Sequence, residues 1–149
     1  MTIKIKSPAF DNGQFIPSRY TCDGENINPP LEFSGISKDA ESLVLVVDSP
    51  EVPSRDWIHW LVWNIDPRFK KIAPGEIPDG ARETRNDFFV PGYRGPCPPW
   101  GIVHRYQFKI FALDAKLKLA HDATNKEVQK AMQSHIIEHA LLSGIYKKR

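Results

Sequence analysis

The chain has 149 residues and a mass of 17.0 kDa, enough for one domain with a real core. Hydrophobic residues make up 41% and charged residues 26%, with a formal net charge of +2. That balance fits a globular domain and is too weakly basic to mark nucleic acid or an anionic membrane as the main partner. No apolar run approaches the length of a membrane span, and the start, MTIKIKSPAFDNG, lacks the apolar centre of a signal peptide. The expectation is one domain over residues 1–149, cytoplasmic, with no integral membrane contact.

Residues 2–6 (TIKIK) alternate and read as an edge strand. Residues 42–47 (SLVLVV) form a short continuous apolar run, the pattern of a strand buried on both faces. Residues 57–65 read the same way. Strict alternation puts Trp57, His59, Leu61 and Trp63 on one face and Ile58, Trp60 and Val62 on the other. Residues 104–111 alternate cleanly, with His104, Tyr106, Phe108 and Ile110 facing one way. Between these runs lie loops rich in the 13 prolines and 9 glycines, the densest being 91-PGYRGPCPPWG-101. Near the end, 124-TNKE-127 is a capping box. Val128, Ala131, Met132 and His135 follow at helical spacing, and Gly144 is the predicted stop. Strands, prolyl loops and a C-terminal helix favour a mainly β, antiparallel sandwich with peripheral helices over a βαβ fold.

Four features invite chemistry, and each has a plain alternative. The pattern 135-HIIEH-139 matches one class of zinc peptidases, but such a site needs a third ligand from downstream. Only ten residues follow His139, and none is Asp, Glu, His or Cys. A half-exposed helix whose histidines pack or face solvent accounts for it. His104 and Tyr106 point the same way at the start of their strand; taken alone they read as a structural pair in the core. His59 stands among Trp57, Trp60 and Trp63, and on its own reads as a satisfied core histidine. If the two histidine-bearing strands end at one mouth, however, their rings converge into an anion site. Arg55 supplies a cation near that mouth, and loop 93-YRGPCPPWG-101 supplies backbone N–H groups, unless it is only a rigid connector.

Together these stretches resemble one family, the phosphatidylethanolamine-binding proteins, also called Raf kinase inhibitor protein-like, and most of all its bacterial and archaeal branch. The resemblance rests on 20-YTCDGENINPPLEF-33, 43-LVLVVDSPEVPSRDWIHWLVWNI-65, 86-ND-87, 93-YRGPCPPWGIVHRYQFKIFALD-114 and the expected C-terminal helix ending GIY, in family order across nearly the whole chain. It implies a sandwich of two antiparallel sheets and a small preformed pocket for phosphate, phosphoryl groups, acetate or similar oxyanions. By position, the pocket would use His59, His104, Tyr106, Pro53, Trp57 and the 93–99 loop, with Tyr93, Gly95, Cys97 and Pro99. No catalytic residue, cofactor or metal is implied.

The family pattern D-P-D-A-P is altered here to 49-SPEVP-53, so Ser49 and Glu51 stand where the family has aspartates. Asp48 would point to the opposite face unless a bulge intervened. Losing a carboxylate at 49 makes the pocket less repulsive to anions, or removes the group that orients a histidine; both remain open. The resemblance further implies a non-proline cis peptide at Arg55–Asp56, a homodimer, and proximity of Cys22 and Cys97. Two packed free thiols are the alternative for that pair. Three functional classes follow: an oxyanion-binding regulatory module, a protease or kinase inhibitor acting through a surface loop, and, least favoured, an enzyme acting on a phosphorylated small molecule.

Overall fold

The computed structural model describes residues 2–51 and 56–148. Two antiparallel sheets dominate it. The smaller has three strands in the order β1 (Lys4–Lys6), β2 (Leu31–Ser34) and β5 (Lys71–Ile72). The larger has five, in the order β6 (Arg82–Glu83), β4 (Trp57–Ile65), β3 (Ser42–Ser49), β7 (Val103–Leu113) and β8 (Ile136–Lys147). One helix, α1 (Asn125–Met132), covers part of the outer face of the large sheet.

The central strand β3 is buried at all eight positions, which is why Leu43 to Val47 form an unbroken apolar run, flanked by Ser42 and by Asp48 and Ser49. Its alternate side chains feed two cores. Leu43, Leu45 and Val47 join Trp60, Tyr106, Phe108 and the small sheet in the main core. Val44 and Val46 join Ile58, Leu61, Trp63 and the helix residues Val128 and Met132 on the other side.

The helix begins where the capping box places it. Thr124 accepts from the Glu127 N–H, and Glu127 reaches back to the Thr124 N–H at 2.9 Å. It ends twelve residues before the predicted stop at Gly144. After a short 3₁₀ turn (Gln133–His135), the chain becomes the long edge strand β8. Ala140, Leu142, Gly144 and Tyr146 alternate inward there, and tertiary pairing along all of β7 overrides the helical propensity of the segment. Gly144 is a packing position: a Cβ on it would lie 2.6 Å from the Ile16 side chain and 2.9 Å from Phe10. Segment 13–16 crosses this edge, with Ile16 N–H donating to the Ile145 carbonyl at 2.9 Å.

The refolded C-terminus also removes the helical setting assumed for 135-HIIEH-139. His135 lies in the 3₁₀ turn, 2.8 Å from Asp114, whereas His139 lies on β8 against the Phe111 ring. Glu138 accepts the Ile3 N–H at 2.7 Å. The three side chains face different neighbours and share no metal-like centre. Among the described residues, no helix is long and apolar enough to cross a membrane.

Candidate functional site

Three strand ends meet at one mouth of the large sheet. β3 arrives there with Ser49, β4 leaves with Trp57 and His59, and β7 leaves with His104 and Tyr106. The register explains the meeting. Val47 pairs with Trp60, but the next residue, Asp48, pairs with Ile58, so His59 is an extra residue on β4, a β-bulge. The bulge overturns the strict alternation expected for 57–65. Ile58 shares the helix-side core with Leu61 and Trp63, while His59 turns toward Tyr106 on the other side.

The His59 ring is 4% exposed and is held on three sides. It packs edge-on against Tyr106 at 5.3 Å and against Phe88 at 5.4 Å, and its Nδ1 lies 2.7 Å from the Arg94 carbonyl oxygen. A carbonyl only accepts, so Nδ1 carries a proton and donates. Burial pushes the His59 pKa down to about 4, against the upward pull of the Arg94 carbonyl, the Asp87 carboxylate and the Gly95 carbonyl. His59 is therefore a neutral imidazole at physiological pH, and its Nε2 has a lone pair.

This sets a sign for stability. Below about pH 6.5 the unfolded chain protonates this histidine and the folded chain does not, so stability is full above that pH and falls as pH drops toward 4. The expected loss across that window is about 3 kcal/mol at most, from 1.36 kcal/mol per pH unit. Urea unfolding of the wild type and His59→Gln across pH 4–7 checks it: the variant's curve should be flatter by that amount, and parallel curves would contradict the buried neutral ring.

Ser49 lies beside Trp57 and one step beyond the Asp48–Gln107 pair, at the level of Tyr106. Its hydroxyl is buried without a hydrogen-bond partner among the described residues. Asp48 turns to the opposite face, where its Oδ2 accepts from Lys109 at 2.9 Å. The bulge is on β4, not β3, so Asp48 stays out of the His59 side. Tyr106 is 2% exposed; burial pushes its phenol pKa up, and the Cys97 N–H faces its oxygen. His104 is half-buried at the start of the same strand face.

The 93–99 loop differs from the expected row of free N–H donors. The Gly95 N–H already donates to Asn26 Oδ1 at 2.7 Å, and Arg94 N–H donates to the His59 carbonyl at 3.1 Å. Gly95 is glycine because a Cβ there would lie 2.1 Å from the Tyr20 carbonyl oxygen. Tyr93 is a core anchor: its hydroxyl donates to the Tyr20 carbonyl at 2.7 Å and its ring packs edge-on against Trp60. Pro99 is exposed on the same loop. Cys97 is bonded to Cys22, with Cα atoms 5.4 Å apart. Glu51 is exposed and acts on Tyr106 as a nearby negative charge. Pro53, Arg55 and the Arg55–Asp56 peptide lie outside the described residues.

Two further residues shape the mouth. Phe88 packs against both His59 and Trp57, and Asp87 fixes the start of β4 by accepting the Ile58 N–H at 2.7 Å. The pair 86-ND-87 was visible as a motif, but its use was not. Asn86 Oδ1 accepts the Phe88 N–H and thereby turns the ring inward.

A model of the family described as phosphatidylethanolamine-binding protein matches residues 6–147. The chain belongs to that family. A UPF0098 protein of Methanothermobacter thermautotrophicus is 45% identical over 98% of this chain and 99% of its own length. One from Pyrococcus horikoshii is 43% identical over the whole of this chain and 78% of its own length. Among solved structures, a putative phosphatidylethanolamine-binding protein homologue of Chlamydia trachomatis superposes with a TM-score of 0.92 at 40% identity, covering 99% of both chains. YbcL of E. coli, described as a member of the mammalian family, gives 0.92 at 27% identity over the whole of both chains. Family membership carries the sandwich fold; it names no ligand for this chain.

Proposed function

We propose that this phosphatidylethanolamine-binding protein family member binds a small oxyanion, phosphate or a phosphoryl group, at the His59 mouth, and acts as a ligand-binding or regulatory module. The observation that carries the reading is Ser49: a residue 2% exposed whose hydroxyl has no partner among the described residues, at the level of Tyr106 and on the side to which His59 turns. A buried unpaired polar group costs about 1–3 kcal/mol, and an incoming oxygen acceptor relieves that cost. Neutral Ser49, where the family has a carboxylate, removes a repulsive charge. Clefts of about 570 and 480 Å³ elsewhere, beside Ile72 and Arg68, contain no such buried orphan.

Binding with two or three polar contacts is expected in the millimolar-to-micromolar range. His59→Ala should abolish detectable phosphate binding while the thermal midpoint stays within several degrees. NMR titration with phosphate reads the first and thermal unfolding the second, and an unchanged affinity in that variant rules the site out.

Inhibition of a protease or kinase is a second reading, favoured by Trp100, which stands 68% exposed at the end of a loop fastened by the Cys22–Cys97 bond. A protease and kinase panel with Trp100→Ala as control decides it: inhibition that survives the substitution removes the loop from consideration. A homodimer is proposed on the family resemblance alone, and light scattering at high concentration tests it.

A further inference from the structure

We infer, building on the oxyanion reading above, that His59 makes this pocket selective for anions that bring an acidic proton, so that it takes phosphomonoesters and rejects sulfate esters of the same shape. The geometry fixes this. Nδ1 donates to the Arg94 carbonyl at 2.7 Å, so a neutral ring meets a ligand with the Nε2 lone pair. A lone pair facing an oxyanion that has only acceptors is an unmade hydrogen bond in a buried place. One proton shared between Nε2 and the ligand oxygen turns that contact into a charge-assisted bond. A phosphomonoester holds such a proton near neutrality, with a second pKa of about 6, whereas a sulfate ester has none to share.

Among the described residues, the groups recorded against the ring are aromatic side chains, backbone carbonyls and a carboxylate. From β4 itself comes the Trp57 flank, which meets Phe88. From the 86–88 segment come the Phe88 ring and Asp87, whose Oδ2 accepts the Ile58 N–H. From β7 comes Tyr106, a neutral phenol whose ionisation burial disfavours, with Glu51 as a further nearby charge. From the 93–99 loop come the Arg94 and Gly95 carbonyls, both acceptors. His104 stands half-buried further along the same face of β7; among the described residues recorded against the ring, none is a lysine or arginine side chain. Ser49 adds a neutral donor that serves either ligand, so it does not discriminate.

Isothermal titration of the full chain with O-phosphoserine and O-sulfoserine, in two buffers of different ionisation enthalpy, tests this. At pH 7.5, binding of O-phosphoserine should take up close to one proton. At pH 5.5 the ester arrives mostly protonated and uptake should fall to about a quarter of that, following its second pKa. O-Sulfoserine should bind at least tenfold more weakly at pH 7.5. In His59→Gln, whose amide can donate an N–H, proton uptake should vanish and the two esters should bind within threefold of each other; uptake that persists there overturns the inference. Equal affinity of the two esters for the wild type, without proton uptake, overturns it too and leaves the oxyanion reading standing. Failure of the wild type to bind either ester overturns that reading and the selectivity with it.

Discussion

Loss of the Cys22–Cys97 bond should lower the stability of the fold by about 4.5 kcal/mol, the chain-entropy value for a loop of this length. The bond joins residues 75 apart. Most of the loss will come from the unfolded chain, because the two loops stay fastened without it. Cys22 N–H donates to the Pro96 carbonyl, Gly95 N–H to Asn26, and the Tyr93 hydroxyl to the Tyr20 carbonyl. The Cys22→Ser, Cys97→Ser double variant should therefore melt about 10–15 °C lower yet keep its far-UV and near-UV spectra. Guanidinium unfolding of the two proteins gives the difference directly, and a loss below 1 kcal/mol would refute the assignment. The same bond bears on compartment. Stable disulfides are rare in a reducing cytosol outside hyperthermophiles, so the bond and the cytoplasmic expectation pull in opposite directions. Thiol counting under denaturing, non-reducing conditions on protein taken straight from cells shows which holds.

The second large effect is expected at Lys109. Its ammonium is the partner of Asp48, a carboxylate only 3% exposed, and lies 3.9 Å from Asp56. Burial raises the Asp48 pKa, while Lys109 pulls it back down. Lys109→Met leaves a buried carboxylate without its cation, which costs about 4 kcal/mol at neutral pH. The pH dependence has a definite sign. A carboxyl whose folded pKa is raised is most favourable below its unfolded value and loses ground as pH rises through the folded one. Removing Lys109 raises that folded value further, so the deficit of the variant should be small near pH 4 and grow toward pH 7. Adding Asp48→Asn to the variant should recover most of the loss. A deficit under 1 kcal/mol at pH 7 would place the pair with ordinary screened surface bridges.

Residue by residue, the sequence was readable where local chemistry and tertiary packing agreed. Leu43 to Val47 is apolar without interruption because both faces are buried, and Thr124 with Glu127 encloses a helix start within four residues. It was misleading where a distant pairing decided the outcome. The segment after His135 has residues that suit a helix, and only the zipper of hydrogen bonds with β7 makes it a strand. His59 was read as an alternating residue of β4, because a bulge is set by the partner strand and leaves no mark in the run 57–65. Among the site residues, His59 and Tyr106 could be paired by strand spacing and resemblance. The Arg94 carbonyl that fixes the tautomer could not, since a backbone oxygen has no letter in the sequence. For the same reason Gly95 passed for an anion donor although its N–H holds Asn26.

The extra residue on β4 also bears on how such a protein can vary between genomes. On either side of His59 the strand pairs regularly with β3, Trp60 with Val47 and Ile58 with Asp48. Deleting the single His59 codon brings those two pairs into ordinary succession, with every core side chain still on its own face. Deleting Leu61 or Val62 instead would throw the neighbouring pairs with β3 out of register and put a core side chain on the wrong face. The mouth and the core thus tolerate insertions and deletions independently, and a relative that kept the sandwich but lost its imidazole would lie one in-frame deletion away.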